Sequence, residues 1–209
     1  NYAKTMLMSK YSNLKNKIIV SPLFQSKINM KKERKYFTII GRDHPAKNFN
    51  LFFNLIREAD KKNLSFNFCI ISKSNISKYI EKLTTNQKKM LKIINKELIS
   101  DEEINEVLAQ SYSVFKLDNA ITQSGIVALC SMMNVPVIAN DIPGFSQDII
   151  HKKTGYLLDV NTKNSSQLIL KYMKEIIVNV DFLKVNIERY YNKKWNPSNW
   201  HLTMGSLIN

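Results

Sequence analysis

The segment from Tyr36 to Phe53 constrains the fold more than any other part of the chain. Its apolar run YFTII ends at Gly41 and Arg42, a short polar loop follows, and an amphipathic segment begins at Phe49. A buried strand that leads into a helix through a glycine turn is the usual place at which an α/β domain holds a phosphate. The segment therefore predicts an α/β fold and makes its first loop a candidate binding site.

This loop carries two cationic side chains, Arg42 and Lys47, five residues apart. A guanidinium can bind two oxygens at once, and a lysine ammonium acts as a mobile point charge, so the pair suits a diphosphate. The alternative is a strand, loop and helix with two solvated charges, because no glycine-rich loop accompanies the pair.

Short apolar runs alternate with helical patterns along the rest of the chain. The runs predict strands at 36–40, 66–72, 91–95, 113–117, 136–140 and 155–158. Helical spacing and a capping box at Ser100 predict helices at 49–60, 76–83, 100–109, 125–133, 168–178 and 182–191, with one or two turns at 145–150 and a final helix near 197–207. The order predicts a Rossmann-like, doubly wound parallel sheet of about six strands with helices on both faces.

Ligands of such sheets bind beyond the carboxyl ends of the strands. That rule places Arg42, Lys47, the loop after Leu117 and the turn at 140–144 along one rim of the predicted sheet.

Charge is distributed unevenly between the two halves of the chain. Residues 1–96 carry 21 Lys and Arg against 5 Asp and Glu, a net charge of +16, whereas residues 97–209 have a net charge of −2. This asymmetry indicates an anionic partner, either nucleic acid, anionic lipid or a phosphorylated substrate. A compositional bias toward lysine and asparagine is the alternative explanation.

The remaining composition favours a cytoplasmic protein. Cys69 and Cys130 lie in apolar surroundings, which predicts buried, reduced thiols. Apolar runs are too short to span a bilayer, no signal segment opens the chain, and no histidine pair has zinc-ligand spacing. The sequence does not begin with Met, so we expect a fragment of a longer protein.

Six short motifs occur in a characteristic order. They are GR with KN at 41–48, SDEEI with SVFKL at 100–117, SG with PVIA at 124–139, DIPGF at 141–145, TGYLL at 154–158 and YYNKKWNPSNW at 190–200. In this order the motifs resemble the C-terminal half of family 4 glycosyltransferases, which have the GT-B architecture.

The resemblance implies transfer of a sugar from a nucleoside diphosphate donor with retention of the anomeric configuration. It gives Arg42 and Lys47 the catalytic role of holding the diphosphate and stabilising the leaving group, with no metal and no cofactor. The substrate-binding residues that it implies are Gly41, Ile99, Ser100, Asp118, Gln123, Ser124, Gly125 and Ile126. Among these, the N–H groups at 124–126 open a helix and can face phosphate.

The chain departs from the family at two glutamates that usually contact the donor sugar and the ribose. Ile121 and Leu129 stand at those positions, and Gln147 replaces a later glutamate. Neither apolar side chain can accept a hydrogen bond. Asp118, Gln123 or the Ser124 hydroxyl can substitute for the lost acceptors, or these side chains can be structural.

The resemblance also divides the chain. It predicts a connector or remnant of a preceding domain at 1–35, a donor-binding domain at 36–195 and a crossover helix at 196–209. The expected partners are a nucleotide-sugar donor and a glycan or lipid-linked acceptor, with peripheral contact to an anionic membrane at its cytoplasmic face. Three other functions stay open: a non-catalytic GT-B-like binding domain, a basic nucleic-acid-binding domain, although none of its motifs is present, and a GT-B-shaped epimerase.

Overall fold

The computed structural model describes residues 2–11, 28–30 and 32–199. Within them, six parallel strands form one sheet in the order β3-β2-β1-β4-β5-β6. The strands are β1 (Tyr36–Ile40), β2 (Asn67–Ser72), β3 (Leu91–Asn95), β4 (Ser111–Lys116), β5 (Val137–Asn140) and β6 (Gly155–Leu158). The predicted Rossmann-like fold class is confirmed.

The strand order reverses direction between β1 and β4. From β1 the chain builds outward through β2 to β3, then returns to β4 on the other side of β1 and continues to β6. Loops that leave two neighbouring strands in opposite directions open a crevice between them. The loop after β1 and the loop after β4 therefore flank the natural ligand site of this sheet.

Helices cover both faces of the sheet. The helices of the described residues are α1 (Tyr2–Lys10), α2 (Phe49–Lys61), α3 (Ser77–Ile80), α4 (Thr85–Lys89), α5 (Asp101–Ala109), α6 (Gly125–Met132), α7 (Pro143–Ser146), α8 (Ser165–Val178) and α9 (Val180–Lys194), with 3-10 turns at Pro45–Lys47 and Pro197–Asn199. Side chains of α2 and α8 join one apolar core, and those of α5 and α6 join the other. Residues of α9 belong to both cores, so this helix connects the two faces.

The core beside α2 shows why the first segment folds as predicted. Phe52 and Phe53 are completely buried, and Phe52 packs edge to face against Phe68 and Phe115 at 5.8 Å between ring centroids. The helical spacing of these aromatic residues puts them on the face of α2 that covers β1, β2 and β4.

Several predicted boundaries were wrong. The fourth strand begins at Ser111 rather than 113, because the buried hydroxyls of Ser111 and Thr38 share a hydrogen bond of 2.6 Å and so satisfy polar groups inside the sheet. The predicted helix at 76–83 is only the single turn of α3, and α4 follows it from a capping box at Thr84. The predicted turns at 145–150 are instead α7, which starts earlier because Pro143 occupies its first turn.

Two predicted segments lie at the ends of the domain. Arg34, at the end of the predicted connector, donates hydrogen bonds to the carbonyls of Ser111 at 2.5 Å and Asn134 at 2.7 Å, which ties the connector to the amino ends of the strands. At the other end, α9 is followed by the buried ring of Trp195 and the short turn Pro197–Asn199. The rest of the predicted crossover helix (200–209) and residues 1, 12–27 and 31 of the predicted connector lie outside the described residues.

Candidate functional site

The first loop of the site turns at Gly41. This residue has φ of +156°, a conformation that side-chain-bearing residues rarely adopt, and its N–H donates to the carbonyl of Ile71 at 3.0 Å. A Cβ added at Gly41 would meet nothing within 4 Å. The glycine therefore serves the backbone turn and leaves open space in front of it.

The side chain of Arg42 is exposed next to this open space. It forms no hydrogen bond or ion pair with any residue that the structure describes, whereas the carboxylate of the neighbouring Asp43 is held by the hydroxyl of Tyr79 at 2.9 Å and the ammonium of Lys78 at 2.7 Å. The guanidinium is thus available to an external anion.

The end of the first loop is bonded to the loop after β4. The amide of Asn48, a residue with φ of +52°, donates to the carbonyl of Leu117 at 2.7 Å and to Asn119 at 3.0 Å. The N–H of Asn119 donates to the carbonyl of Ala46 at 2.8 Å. These bonds fix the backbone that carries Lys47 against the opposite side of the crevice.

Lys47 itself forms an ion pair with Asp118 through its ammonium. A second lysine, Lys116 on β4, places its ammonium 3.2 Å from the other oxygen of the same carboxylate. The side chains of Lys116 and Asp118 are only 5% and 3% exposed, whereas Lys47 is 30% exposed. Burial lowers the pKa of Lys116, and the nearby Asp118 opposes that shift. Two cations and one anion leave this cluster with an excess positive charge.

The amino end of α6 forms another wall of the crevice. The Ser124 hydroxyl accepts from the N–H of Val127 at 3.4 Å and caps the helix, while the N–H groups of Gly125 and Ile126 belong to the unpaired first turn. A Cβ added at Gly125 would meet nothing within 4 Å, so neither packing nor backbone geometry requires a glycine there. An added Cβ at Gly144, in contrast, would lie 2.1 Å from a backbone oxygen.

A cavity of about 170 Å³ lies beside Gly41, on the side of β2 and α5 rather than of β4. Its walls are mostly aliphatic, with one arginine and one lysine at its mouth: Ile40, Gly41, Arg42, Ile71, Ser72, Lys73, Ile99 and Ile104. The predicted residue Ile99 therefore lies with Arg42 in one cavity. Ser100 next to it is the N-cap of α5, with its hydroxyl accepting from the N–H of Glu103 at 3.2 Å.

Lys47 does not line this cavity, because Asp118 holds its ammonium on the β4 side of the loop. The two predicted cations thus flank the Gly41 turn on different sides. The Lys47 ammonium is thus paired with Asp118, whereas the Arg42 guanidinium has no polar partner among the described residues.

The positions of the missing glutamates carry no substitute acceptor of their own. Ile121 and Leu129 are half-buried and pack against the apolar core beside α6. The amide of Gln147 donates to the carbonyl of Thr122 at 3.0 Å, and Gln123 is exposed in the same loop. The substitutes that the sequence suggests, Asp118, Gln123 and the Ser124 hydroxyl, stay predictions.

Sequence reasoning missed Lys116 and, although it placed the turn at 140–144 on the rim, it missed the role of Asn140. Lys116 lies inside a run that predicts a buried strand, and a lysine at such a position is itself a signal of a paired charge. Asn140, at the end of β5, donates to the main-chain carbonyl of Asp118 at 3.1 Å and accepts from the N–H of Val160 at 3.2 Å. It fixes the loop that carries the carboxylate.

The family model for glycosyl transferases group 1 matches residues 21–184. The chain belongs to the group 1 glycosyl transferases. The GT-B relationship expected from its motifs is confirmed by this match and by solved structures of the same fold. No curated protein matches the chain by sequence.

Three solved structures illustrate the likeness of this group 1 glycosyl transferase. The pneumococcal O-GlcNAc transferase GtfA, solved with UDP and GlcNAc, superposes with a TM-score of 0.70 at 15% identity, covering 98% of this chain and 42% of its own. TarM gives 0.69 at 16% identity, covering 94% and 41%. The C-terminal domain of LpcC, a group 1 protein from Francisella tularensis, gives 0.61 at 18% identity, covering 80% and 89%.

These likenesses show the fold of the chain. The chain spans about two fifths of the length of GtfA and TarM, and nearly the whole of the isolated C-terminal domain. No helix within residues 2–11 and 32–199 is long and apolar enough to cross a bilayer. Within the same ranges, no three His, Cys, Asp or Glu side chains come together as metal ligands.

Proposed function

We propose that this chain is the donor-binding half of a retaining glycosyltransferase that uses a nucleoside diphosphate sugar. The observation that carries the proposal is a set of three groups, Arg42, Lys47 and the amino end of α6, on the two loops that flank the reversal of strand order. Each is a positive feature, and a diphosphate is the ligand that such a set accommodates. The relative GtfA was solved with UDP and GlcNAc, which supports this donor class.

The cations serve the chemical step as well as binding. Departure of a nucleoside diphosphate develops negative charge on its leaving oxygen, and a pre-placed donor stabilises that charge by roughly 2–4 kcal/mol. In this proposal Arg42 and Lys47 supply this stabilisation without a divalent metal. The N–H groups of Gly125 and Ile126 add the positive end of a helix dipole.

The walls of the crevice also suggest where the base and the sugar of the donor bind. The aliphatic cavity beside Ile99 accommodates the flat face of a nucleobase, with Arg42 at its mouth where the diphosphate begins. The sugar then extends toward the loop after β4, where Asp118, Gln123 and the Ser124 hydroxyl are the candidate partners for its hydroxyl groups.

Binding of nucleoside diphosphates tests the site directly. Calorimetry across UDP, GDP and ADP should identify a base that binds, and Arg42→Ala and Lys47→Ala should each weaken that binding by about tenfold or more, because each removes a charge-assisted contact. Arg57→Ala is the matched control, since its guanidinium contacts Asn54 on α2 at 2.7 Å, away from the crevice. Unchanged affinity in both site variants would reject the diphosphate site.

A non-catalytic binding domain is the second candidate. It is favoured by one observation, the replacement of both donor-contacting glutamates by Ile121 and Leu129. The complete protein, which carries the acceptor-binding half expected for this architecture, decides between the two. Product from any nucleotide sugar, with its anomeric configuration read by NMR, supports the transferase, and binding without turnover supports the alternative.

The charge distribution bears on the acceptor. Exposed lysines lie on and around the edge strand β3, among them Lys82, Lys88, Lys89 and Lys96. We propose that the protein works at the cytoplasmic face of an anionic membrane, on a glycan or lipid-linked acceptor of surface polysaccharide or glycoconjugate synthesis. Salt-sensitive sedimentation with phosphatidylglycerol but not phosphatidylcholine vesicles would support this proposal. Steeply salt-dependent binding of RNA or DNA, with indifference to nucleoside diphosphates, would favour nucleic acid instead.

A further inference from the structure

Lys116 is a buried charge that the proposed reaction does not use. It lies on β4 in an otherwise apolar run and is 5% exposed, with its ammonium 3.2 Å from Asp118 and 5.9 Å from the ring centroid of Phe145. It contacts neither the cavity nor the exposed mouth of the crevice. Burial of a charged lysine carries a high desolvation penalty, which only a close counter-ion can offset.

We propose that Lys116 sets how strongly Asp118 retains Lys47, and thereby controls whether Lys47 can move to an anion in the crevice. The inference rests on the proposed function for the identity of that anion, a diphosphate. It makes Lys116 a positioning residue, which acts on the ligand through Asp118 and Lys47.

The two oxygens of the Asp118 carboxylate pair with different lysines. Lys47 pairs with Oδ1 of Asp118, and Lys116 pairs with Oδ2. The main chain of Asp118 accepts a hydrogen bond from Asn140, which fixes the backbone from which the carboxylate extends. Among the three charged side chains, Lys47 is the most exposed, which makes it the one free to change partner.

The charges explain why the exchange needs two lysines. A buried carboxylate that loses its only cation is left uncompensated, which is strongly unfavourable. With Lys116 present, departure of Lys47 leaves a neutral Lys116–Asp118 pair behind. The Lys47 ammonium can then swing to the diphosphate beside Arg42, with no proton transfer and no change of covalent bonds.

Affinity for inorganic pyrophosphate, measured by calorimetry, tests this coupling because the probe has neither base nor sugar. Lys116→Met should weaken binding by about tenfold or more, although Lys116 does not reach the ligand, because Asp118 then retains Lys47. Asp118→Asn should tighten binding. The double variant Lys116→Met/Asp118→Asn should return to the wild-type affinity or exceed it.

Two results would overturn the inference. If Lys116→Met and the double variant bind pyrophosphate equally weakly, Lys116 either contacts the anion itself or only supports the fold. Wild-type affinity in Lys116→Met would mean that Lys116 has no influence on the site. If Lys116→Met does not fold, the double variant, which leaves no buried charge behind, carries the test. Weaker pyrophosphate binding by the double variant than by wild type then overturns the coupling.

A second readout without ligand separates this inference from the proposed function. The acetylation rate of Lys47, followed by mass spectrometry, should fall in Lys116→Met and rise in Asp118→Asn, with the exposed Lys152 as the internal reference. Unchanged Lys47 reactivity in both variants overturns the coupling. Shifted reactivity in a protein that binds neither pyrophosphate nor any nucleoside diphosphate supports the coupling and rejects the diphosphate site.

Discussion

Replacement of Gly125 by alanine should raise stability and lower ligand affinity at the same time. A Cβ at this position meets nothing within 4 Å, and the residue is the first of α6 with an ordinary φ, so alanine fits without strain. Gly-to-Ala changes at compatible positions stabilise a protein by about 0.4–1 kcal/mol, chiefly through the unfolded chain. For a chain of this size that corresponds to a rise in melting temperature of roughly 1–4 °C.

The Gly125→Ala change should also weaken ligand binding. The added methyl group occupies the open space above the N–H groups to which we assign the phosphate. We therefore expect nucleoside diphosphate affinity to fall by about tenfold or more in calorimetry, equivalent to at least about 1.4 kcal/mol. Thermal unfolding and calorimetry on one preparation measure both effects.

Gly144→Ala is the matched control for this prediction. Its Cβ would lie 2.1 Å from the carbonyl oxygen of Ile121, so the backbone must shift and the variant should lose stability by about 1–3 kcal/mol or more. A Gly125→Ala protein that is more stable and binds the nucleotide as well as wild type would show that the amino end of α6 does not face the phosphate.

Three further predictions follow from buried groups. Trp195→Ala should lower the unfolding free energy in urea by about 3–5 kcal/mol, because the ring is 1% exposed, and a loss below about 1 kcal/mol would show that the residue after α9 is outside the core. Burial raises the pKa of Cys69 and Cys130 to about 12, so neither thiol should react with Ellman's reagent at pH 8 until urea unfolds the protein, and rapid labelling of the native state would contradict this. Burial lowers the pKa of Lys116, so between that lowered pKa and the ordinary value of 10.5 the unfolded state binds more protons, and the stability of wild type relative to Lys116→Met should rise with pH in that window. A difference that falls with pH would contradict the burial of a charged lysine.

Periodicity was sufficient for the architecture because the local signals and the tertiary fold agree. Each of the six apolar runs became a strand, and Ser100 caps α5 through the predicted reciprocal bonds with Glu103. The start of β4 could not be predicted, since the polar Ser111 is accommodated in the sheet by a hydrogen bond to the hydroxyl of Thr38, a residue 73 positions away on β1. The helix α4 did carry a sequence signal, a threonine followed three residues later by Gln87, which the sequence interpretation did not use.

The site was predictable as a set of loops and not as a set of contacts. All strands of the predicted sheet are parallel, so Arg42, Lys47, the loop after Leu117 and the turn at 140–144 could be assigned to one rim without knowledge of the strand order. The partner of Lys47 could not, because its pairing with Asp118 joins residues 71 positions apart. The assigned roles of these residues in donor binding stay predictions.

A crystal structure of the protein with the nucleoside diphosphate that binds most tightly tests the central claim most directly. We predict the base in the cavity beside Ile99, the diphosphate between Arg42 and the amino end of α6, and the Lys47 ammonium on a phosphate oxygen instead of Asp118. A nucleotide bound elsewhere, or bound here with neither Arg42 nor Lys47 in contact with its phosphates, would contradict the account.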